Sequence, residues 1–458
     1  MNILITSVPG TWTATPILAP ALLKACLEEN GYPATAIDLN IEANKILDQC
    51  DNREDIYKFF TNQEIFDTTH EQIYKLLDYC ATRIASYKPD LVCLSLLTQD
   101  CQYFTYWLCY HLRFVLPDMK IVIGGSGIKS FIAQNKINFA DHLKNLGFID
   151  DYINGDGEYS LPNYVKGNFG HSGINSMDWD QIVDLNKLPV PNFDDYDLHS
   201  YPRPSIPVCD SRGCIRSCEF CDIIEHWTKY RFRSADNLWK EMQTQIQRYG
   251  ITRFEFHNSL TNGNMREFTK VLDYILEYNN THEQQISWNG YFIVRSEKSH
   301  PESLFQKIKQ TNGNLMLGIE SVVEHVRIGL GKNFTNESLD YHLEMIKKYK
   351  ISSLLLLIVA YPTETLDDME FTKQWFIDRK HFATDHVKVL LSEAQILPNT
   401  KLDRKQSEYE IIAGDMPQEW DKTGLTNEQR LQYNREVSDI LASVGFNHIS
   451  LEAEYGQD

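Results

Sequence analysis

The chain has 458 residues, 42% of them hydrophobic and 23% charged, the balance of a soluble protein large enough for two or three domains. Its net charge of −19 argues against a broad nucleic-acid or anionic-membrane surface, which needs clustered Lys and Arg. The longest apolar run, residues 354–360, is too short to span a bilayer, and no basic stretch precedes the strand-like Ile3-Leu4-Ile5, so neither a membrane span nor a signal peptide is expected.

Residues 1–158 read as alternating strand and helix. Strands are expected at 3–8, 34–39, 91–96, 120–123 and 148–153. Pro16 opens a helix whose Leu18, Leu22 and Cys26 share a face, and Gly31 stops it. Residues 41–87 read as helical, ending in a helix with Ile73, Leu76, Leu77, Cys80 and Ile84 on one side. Near-continuous apolar strands between helices imply a parallel sheet covered on both faces, a doubly wound (Rossmann-like) domain that binds ligands at the carboxyl ends of its strands. Residues 159–204 include the Pro- and Asp-rich stretch Leu188-Pro189-Val190-Pro191-Asn192-Phe193 and read as a linker.

From 205 the alternation restarts, with strands expected at 206–209, 253–257, 285–292, 315–319, 353–360 and 387–397. Ser234 caps a helix carrying Leu238, Met242 and Ile246, ended by Gly250, and Thr335 caps another carrying Leu339, Leu343 and Ile346. Six βα units over 205–404 make a partial TIM-type barrel, since a full eight needs about 250 residues. Residues 405–458 hold one further helix, 427–444, and form a small C-terminal extension.

The ten cysteines are unevenly spread. Cys26, Cys50, Cys80, Cys93, Cys101 and Cys109 are scattered through the first quarter and read as buried small hydrophobes of a protein in a reducing cytoplasm. The others, Cys209, Cys214, Cys218 and Cys221, are clustered. Cys214-Ile215-Arg216-Ser217-Cys218-Glu219-Phe220-Cys221 is a Cys-x3-Cys-x2-Cys loop after the first barrel strand. A 4Fe–4S cubane usually takes four thiolates, so three leave one iron free to chelate a small molecule. Two other readings stand beside this one: a zinc site, though structural zinc wants four ligands, and a closed electron-transfer cluster with Cys209 as fourth thiolate.

Ser211-Arg212-Gly213-Cys214 through Phe220-Cys221-Asp222 resembles the signature of the radical S-adenosylmethionine (SAM) superfamily. Gly155-Asp156-Gly157-Glu158, the 188–193 linker, Arg231 and Arg233, Gly318-Ile319-Glu320-Ser321, Tyr361-Pro362-Thr363-Glu364-Thr365 and Leu397-Pro398-Asn399-Thr400 fall, in order, where its cobalamin-binding-domain subgroup has similar motifs.

The resemblance implies a 4Fe–4S cluster on Cys214, Cys218 and Cys221 and SAM contacts from Phe220, His257, Asn258, Arg295, Gly318, Glu320 and Ser321. It implies cobalamin against the strand-end loops, with Pro9, Gly10, Ser95, Thr98, Gly124 and Gly125 as contacts. The Asp-x-His-x-x-Gly motif that supplies a histidine ligand in some cobalamin proteins is absent, and no histidine precedes His70. Lys229, Arg231 and Arg233 form a local basic run that reads either as a solvated lead-in to the Ser234 helix or as a dock that would suit an acidic flavodoxin or ferredoxin reductant. The Tyr361–Thr365 motif reads as a structural turn, Thr365 capping the next helix.

The activity so implied is reductive cleavage of SAM to a 5′-deoxyadenosyl radical, serving a cobalamin-dependent C-methyltransferase that acts on a small molecule or peptide. The alternatives are a radical SAM cyclase or rearrangement enzyme with a vestigial cobalamin domain, and a non-catalytic iron–sulfur carrier or sensor.

Overall fold

The computed structural model describes residues 1–10, 14–50, 56, 71–129, 138–414 and 417–449. The chain divides into two compact units, Met1–Ser205 and Ile206–Asp458.

The first unit is built on β1 (Ile3–Ser7), β2 (Ala34–Asp38), β3 (Leu91–Ser95), β4 (Lys120–Gly124) and β5 (Asp151–Ile153), all parallel, in the order β2-β1-β3-β4-β5. Period-2 alternation sends Leu4, Val92, Ile121 and Ile123 to a core with Leu76, Cys80, Phe104 and Leu108, and Ile3, Ile5, Leu91 and Val122 to a second core with Leu27, Leu161 and Tyr164. Both faces are thus covered, and the strand order reverses between β1 and β3, where such sheets open a ligand crevice.

The first helix is Leu18–Glu29, starting just after Pro16, and the long helical stretch resolves into Leu39–Leu47 and Glu71–Ser86. Residues 51–55 and 57–70, which include His70, lie outside the described residues. β5 is shorter than expected because residues 147–150 bond to the helix Gln102–Val115 and to β4 instead. Arg113 donates to the carbonyls of Gly147 and Phe148, and Asp150 accepts from Ile121 N.

Residues 159–204 do more than connect. They complete a helix, Gly157–Val165, and the stretch after it lies along the same unit. Asp195 pairs with Lys24 at 2.5 Å and accepts from Ala36 N at 2.9 Å, while Tyr201 donates its hydroxyl to the buried Asp38 at 2.8 Å.

The second unit holds a parallel seven-stranded sheet in the order β16-β13-β12-β11-β10-β9-β6. Its strands are β6 (Ile206–Val208), β9 (Arg253–Phe256), β10 (Ser287–Phe292), β11 (Gly313–Glu320), β12 (Ser353–Val359), β13 (Val387–Glu393) and β16 (Asn447–Ile449). Between β6 and β9 lies a short antiparallel ribbon, β7 (Ser211–Arg212) with β8 (Arg231–Phe232), and a second ribbon joins β14 (Ile411–Ala413) to β15 (Trp420–Lys422).

Six strands follow the sequence expectation; the seventh, β16, comes from the C-terminal extension and pairs with β13. β13 stops at Glu393 because the next residues bond to that extension. Ala394 O accepts from Trp420 Nε1, and Ile396 N donates to Pro417 O.

The Ser234, Gly250 and Thr335 caps are where the sequence placed them, and the helix of the extension gains a cap that was not read. Ser234 Oγ accepts from Asn237 N and Gly250 ends that helix at φ +69°, Thr335 caps Asn336–Tyr349, and Thr426 with Gln429 forms a capping box on Asn427–Val444. Phe254, Phe256, Trp288, Leu315, Leu317, Leu355 and Val389 are buried against helices, whereas Asn289, Tyr291, Asn314, Met316, Leu354 and Leu356 on the opposite face keep solvent exposure, Tyr291 as much as 42%. The inner face of this open arc is therefore not filled as in a closed eight-stranded barrel. Among the described residues no helix is long and apolar enough to cross a membrane.

Candidate active site

β6 ends in the cysteine loop, and local backbone geometry shapes it. The β7–β8 ribbon turns the chain at Gly213, which sits at φ +78° with no room for a Cβ; one would lie 2.7 Å from Lys229 O. Cys218 is buried, Cys214 and Cys221 half-buried. Burial raises the thiols of Cys218 and Cys221, the latter to about 12, and the three sulfurs lie within electrostatic reach of one another. Arg216 N donates to Cys214 Sγ at 3.4 Å.

Among the described residues no three His, Cys, Asp or Glu side chains converge closely enough for a single metal ion. Three thiols on one loop, one already accepting an amide hydrogen bond, are a donor set that fits an iron–sulfur cubane. Cys209 stands apart from them: it is buried, donates to Ser211 O at 3.3 Å, and has Arg212, Asp210 and Arg233 as its charged neighbours.

The end of β11 lies beside this loop. Glu320 is buried at φ +65°, a left-handed conformation uncommon for a side-chain-bearing residue, after a bulge between Gly318 and Glu320. Its carboxylate pairs at 2.8 Å with the buried Lys332, whose ammonium also donates to Gly318 O at 3.2 Å. Gly318 is small for that reason, since a Cβ there would lie 2.6 Å from Lys332 Nζ and 2.7 Å from Glu320 Oε1. Lys332 also faces Cys218 and Cys214 electrostatically. Sequence reasoning missed it; the only signal was a lysine shortly after the Glu320 motif.

Ser321 is buried and holds the loop: its Oγ contacts Glu364 Oε1 at 3.4 Å and its carbonyl accepts from Arg327 at 2.8 Å. Thr365 forms a capping box with Asp368, as the turn reading expected.

Of the other strand-end residues, His257 keeps solvent exposure, and the protein packed near it lowers its imidazole pKa. Asn258 bonds Asp210, the residue after Cys209. Phe220 is half-buried against the cluster that contains Val323 and Tyr361. Arg295 donates through Nη2 to the carbonyls of Asn262 (3.1 Å) and Gly263 (3.2 Å), its buried Nε has no partner, and Arg216 lies close enough to depress its pKa further after burial. Two guanidinium groups within electrostatic reach of each other, one of them Arg216 on the cysteine loop, suit an anionic ligand group.

Asn262 is itself set by a buried chain. Its amide meets His300 Nε2 at 3.2 Å, and His300 Nδ1 meets His342 Nε2 at 2.9 Å, both imidazoles held neutral by burial.

The basic run is corrected by the structure. Arg231 and Arg233 are buried, and Arg233 pairs with the buried Glu241 at 2.6 Å, leaving Lys229 alone exposed, so the run is not a docking patch. The helix face that presents Leu238 and Met242 also carries Glu241, which needed an internal cation.

In the first unit the candidate loops gather at the β1/β3 reversal. The glycines there bring loop onto loop rather than standing open to a ligand. A Cβ on Gly10 would lie 2.6 Å from Cys101 Cα, one on Gly125 2.2 Å from Leu96 O, and one on Gly124 3.0 Å from Ile153 O. Val8 N donates to Ser95 O, and Thr98 Oγ1 meets Asp100 at 3.3 Å. What these braced loops present outward is Leu97, 42% exposed.

Three comparisons with known proteins bear on this arrangement. A protein of Pyrococcus horikoshii described as an uncharacterized methyltransferase is 23% identical over 357 residues, 72% of this chain and 74% of that protein. TsrM from Kitasatospora setae, a radical S-adenosylmethionine methyltransferase solved with cobalamin and a 4Fe–4S cluster bound, superposes with a TM-score of 0.63 at 14% identity, covering 89% of this chain and 74% of that one. OxsB, a cobalamin-dependent S-adenosylmethionine radical enzyme solved with aqua-cobalamin, gives a TM-score of 0.60 at 14% identity over 97% of this chain and 62% of that one. At these identities the structural likeness is one of fold. Residues 208–376 match the sequence model of the Radical SAM superfamily, a span that runs from the end of β6 through β12 and includes the three cysteines, so the second unit carries a radical SAM domain.

Proposed function

We propose that the chain is a cobalamin-dependent radical SAM methyltransferase acting on a small molecule or peptide, with Cys214, Cys218 and Cys221 as the ligands of a 4Fe–4S cluster. The observation that carries the reading is a loop of three neighbouring thiols at the carboxyl edge of an open parallel sheet, with Arg216 on that loop and Arg295 within its electrostatic reach. When bound, the cluster would supply the electron that cleaves SAM, and cobalamin the methyl group.

The chain's own residues bind and orient. Arg295, fixed by the Asn262 and Gly263 carbonyls, is the cation offered to a carboxylate such as that of SAM. Glu320, held by Lys332, is the acceptor for an ammonium on the same ligand. Phe220, His257, Asn258, Gly318 and Ser321 shape the surrounding wall. Asn289, Tyr291, Met316, Leu354 and Leu356 on the exposed inner face provide a mixed apolar and polar surface for the substrate.

The names of TsrM and OxsB support cobalamin in the first unit. The loops there fit an apolar, non-ligating contact through Leu97 and offer no histidine from Val8-Pro9-Gly10, Ser95–Thr98 or Gly124–Gly127. A flavodoxin- or ferredoxin-type protein would deliver the electron.

Anaerobic purification with and without hydroxocobalamin, counting iron, sulfide and cobalt, tests the reading. The expected result is about four iron and one cobalt per chain, and 5′-deoxyadenosine from SAM and dithionite that disappears in Cys214→Ala, Cys218→Ala and Cys221→Ala. Cluster without cobalt would remove methyl transfer and leave a cyclase or rearrangement enzyme. A cluster yielding no 5′-deoxyadenosine would make the chain an electron carrier.

A further inference from the structure

Residues 401–409 grip the cysteine loop from outside. Lys401 Nζ donates to Ser217 O at 3.0 Å, Leu402 N donates to Glu219 O at 2.9 Å, and Arg404 pairs at 2.7 Å with Glu225 on the short helix Ile223–His226 that follows Cys221. The remaining contact is charged. Glu219, the residue after Cys218, is 8% exposed, and Lys405 Nζ lies 2.6 Å from its Oε1. Tyr409 and Tyr361 donate their hydroxyls to Oε2 at 2.9 and 3.4 Å. On the other side Glu219 N donates to Leu330 O at 3.0 Å. The amide, the carbonyl and both carboxylate oxygens of Glu219 are therefore engaged, by partners about 110 to 190 residues away in sequence.

A carboxylate one residue from a cluster ligand disfavours an added electron unless a cation balances it, since net charge near a cluster is one of the determinants of its potential. We propose that the 401–409 segment fastens the cluster loop through Glu219, and that Lys405 cancels the Glu219 charge so that the cluster stays easier to reduce. Glu219 and Lys405 are thus positioning residues. The charge half of this proposal rests on the cluster assignment above; the fastening half does not.

The first measurement uses the metal-free full-length protein. Alkylation of Cys218 by iodoacetamide, resolved by mass spectrometry, should be slow in the wild type and about tenfold or more faster in Lys405→Met and Tyr409→Phe/Lys405→Met, because local opening exposes a buried thiol. Both variants change half-exposed side chains and should keep the wild-type far-UV spectrum. Unchanged alkylation rates would overturn the fastening.

The second measurement is the midpoint potential of the reconstituted cluster without SAM. Lys405→Met should move it negative and Glu219→Gln positive, with the double variant between them. Loosening alone would move both in the same direction, and that result, or no shift, overturns the charge role. Failure of the wild type to take up iron would sink the cluster assignment, while the metal-free alkylation would still decide the fastening.

Discussion

At the scale of single residues, Glu320 holds an unfavourable backbone conformation, a buried charge and a place at a strand end, all kept by one ion pair with Lys332. Removing one partner of such a pair leaves the other charged in a dry site, which costs about 3–5 kcal/mol. Glu320→Gln should therefore lower the unfolding free energy of the metal-free protein by that order, read from urea denaturation. Glu320 was legible in the sequence through its motif. Lys332 was not, because its role arises only when the chain returns twelve residues later to lie on Gly318.

Glu364 makes a pH-dependent counterpart. Burial pushes its carboxyl up to about 7 from 4.5, against the lowering effect of Tyr361 N and Ser321. The folded form thus keeps a proton that the unfolded chain has released. The associated stability is whole below about pH 4.5 and is lost as the pH rises to about 7, in total about 3 kcal/mol. Asp210 and Asp100, raised to about 6 by burial, slope the same way. Glu364→Gln should flatten its share, measured as the wild-type minus variant difference in urea unfolding between pH 5 and 8.

At the scale of elements, the cysteine loop is shaped by what packs on it. Gly331, at φ +92°, lies against it, and a Cβ there would stand 3.2 Å from Ser217 O and 3.3 Å from Cys218 Cα. Gly331→Ala adds backbone strain to that crowding. It should cost about 1–3 kcal/mol and slow iron uptake during reconstitution, followed by visible absorbance.

Helices bounded by Ser234 and Gly250 or by Thr335 were readable because caps and apolar periodicity are local. β16 was not: Asn447-His448-Ile449 has no strand signature of its own and becomes a strand only by pairing with Lys388, Val389 and Leu390. The basic run misled for a related reason. Arg233 turns inward to answer Glu241, a charge on the buried face of the following helix, and nothing about three nearby cations reveals that.

At the scale of the molecule, the first unit extends to Ser205, well past its last strand. Its final stretch supplies Asp195 to Lys24 and Tyr201 to Asp38. A chain of residues 1–205 should unfold in one cooperative thermal transition. A chain of 1–158 leaves the buried Lys24 ammonium and Asp38 carboxyl each short of a partner and should melt several degrees lower, or not fold. Differential scanning calorimetry of the two separates these outcomes.

In the second unit, the two faces of the sheet differ in how much they hold the fold together. Phe254, Trp288, Leu317 and Leu355 knit the arc to its helices, whereas Tyr291, Met316, Leu354 and Leu356 carry far less of that burden. Exchanges among the latter group should leave the scaffold standing while changing the shape and polarity of the exposed face. An arc left unclosed thereby gives evolution a wall it can repaint without weakening the building.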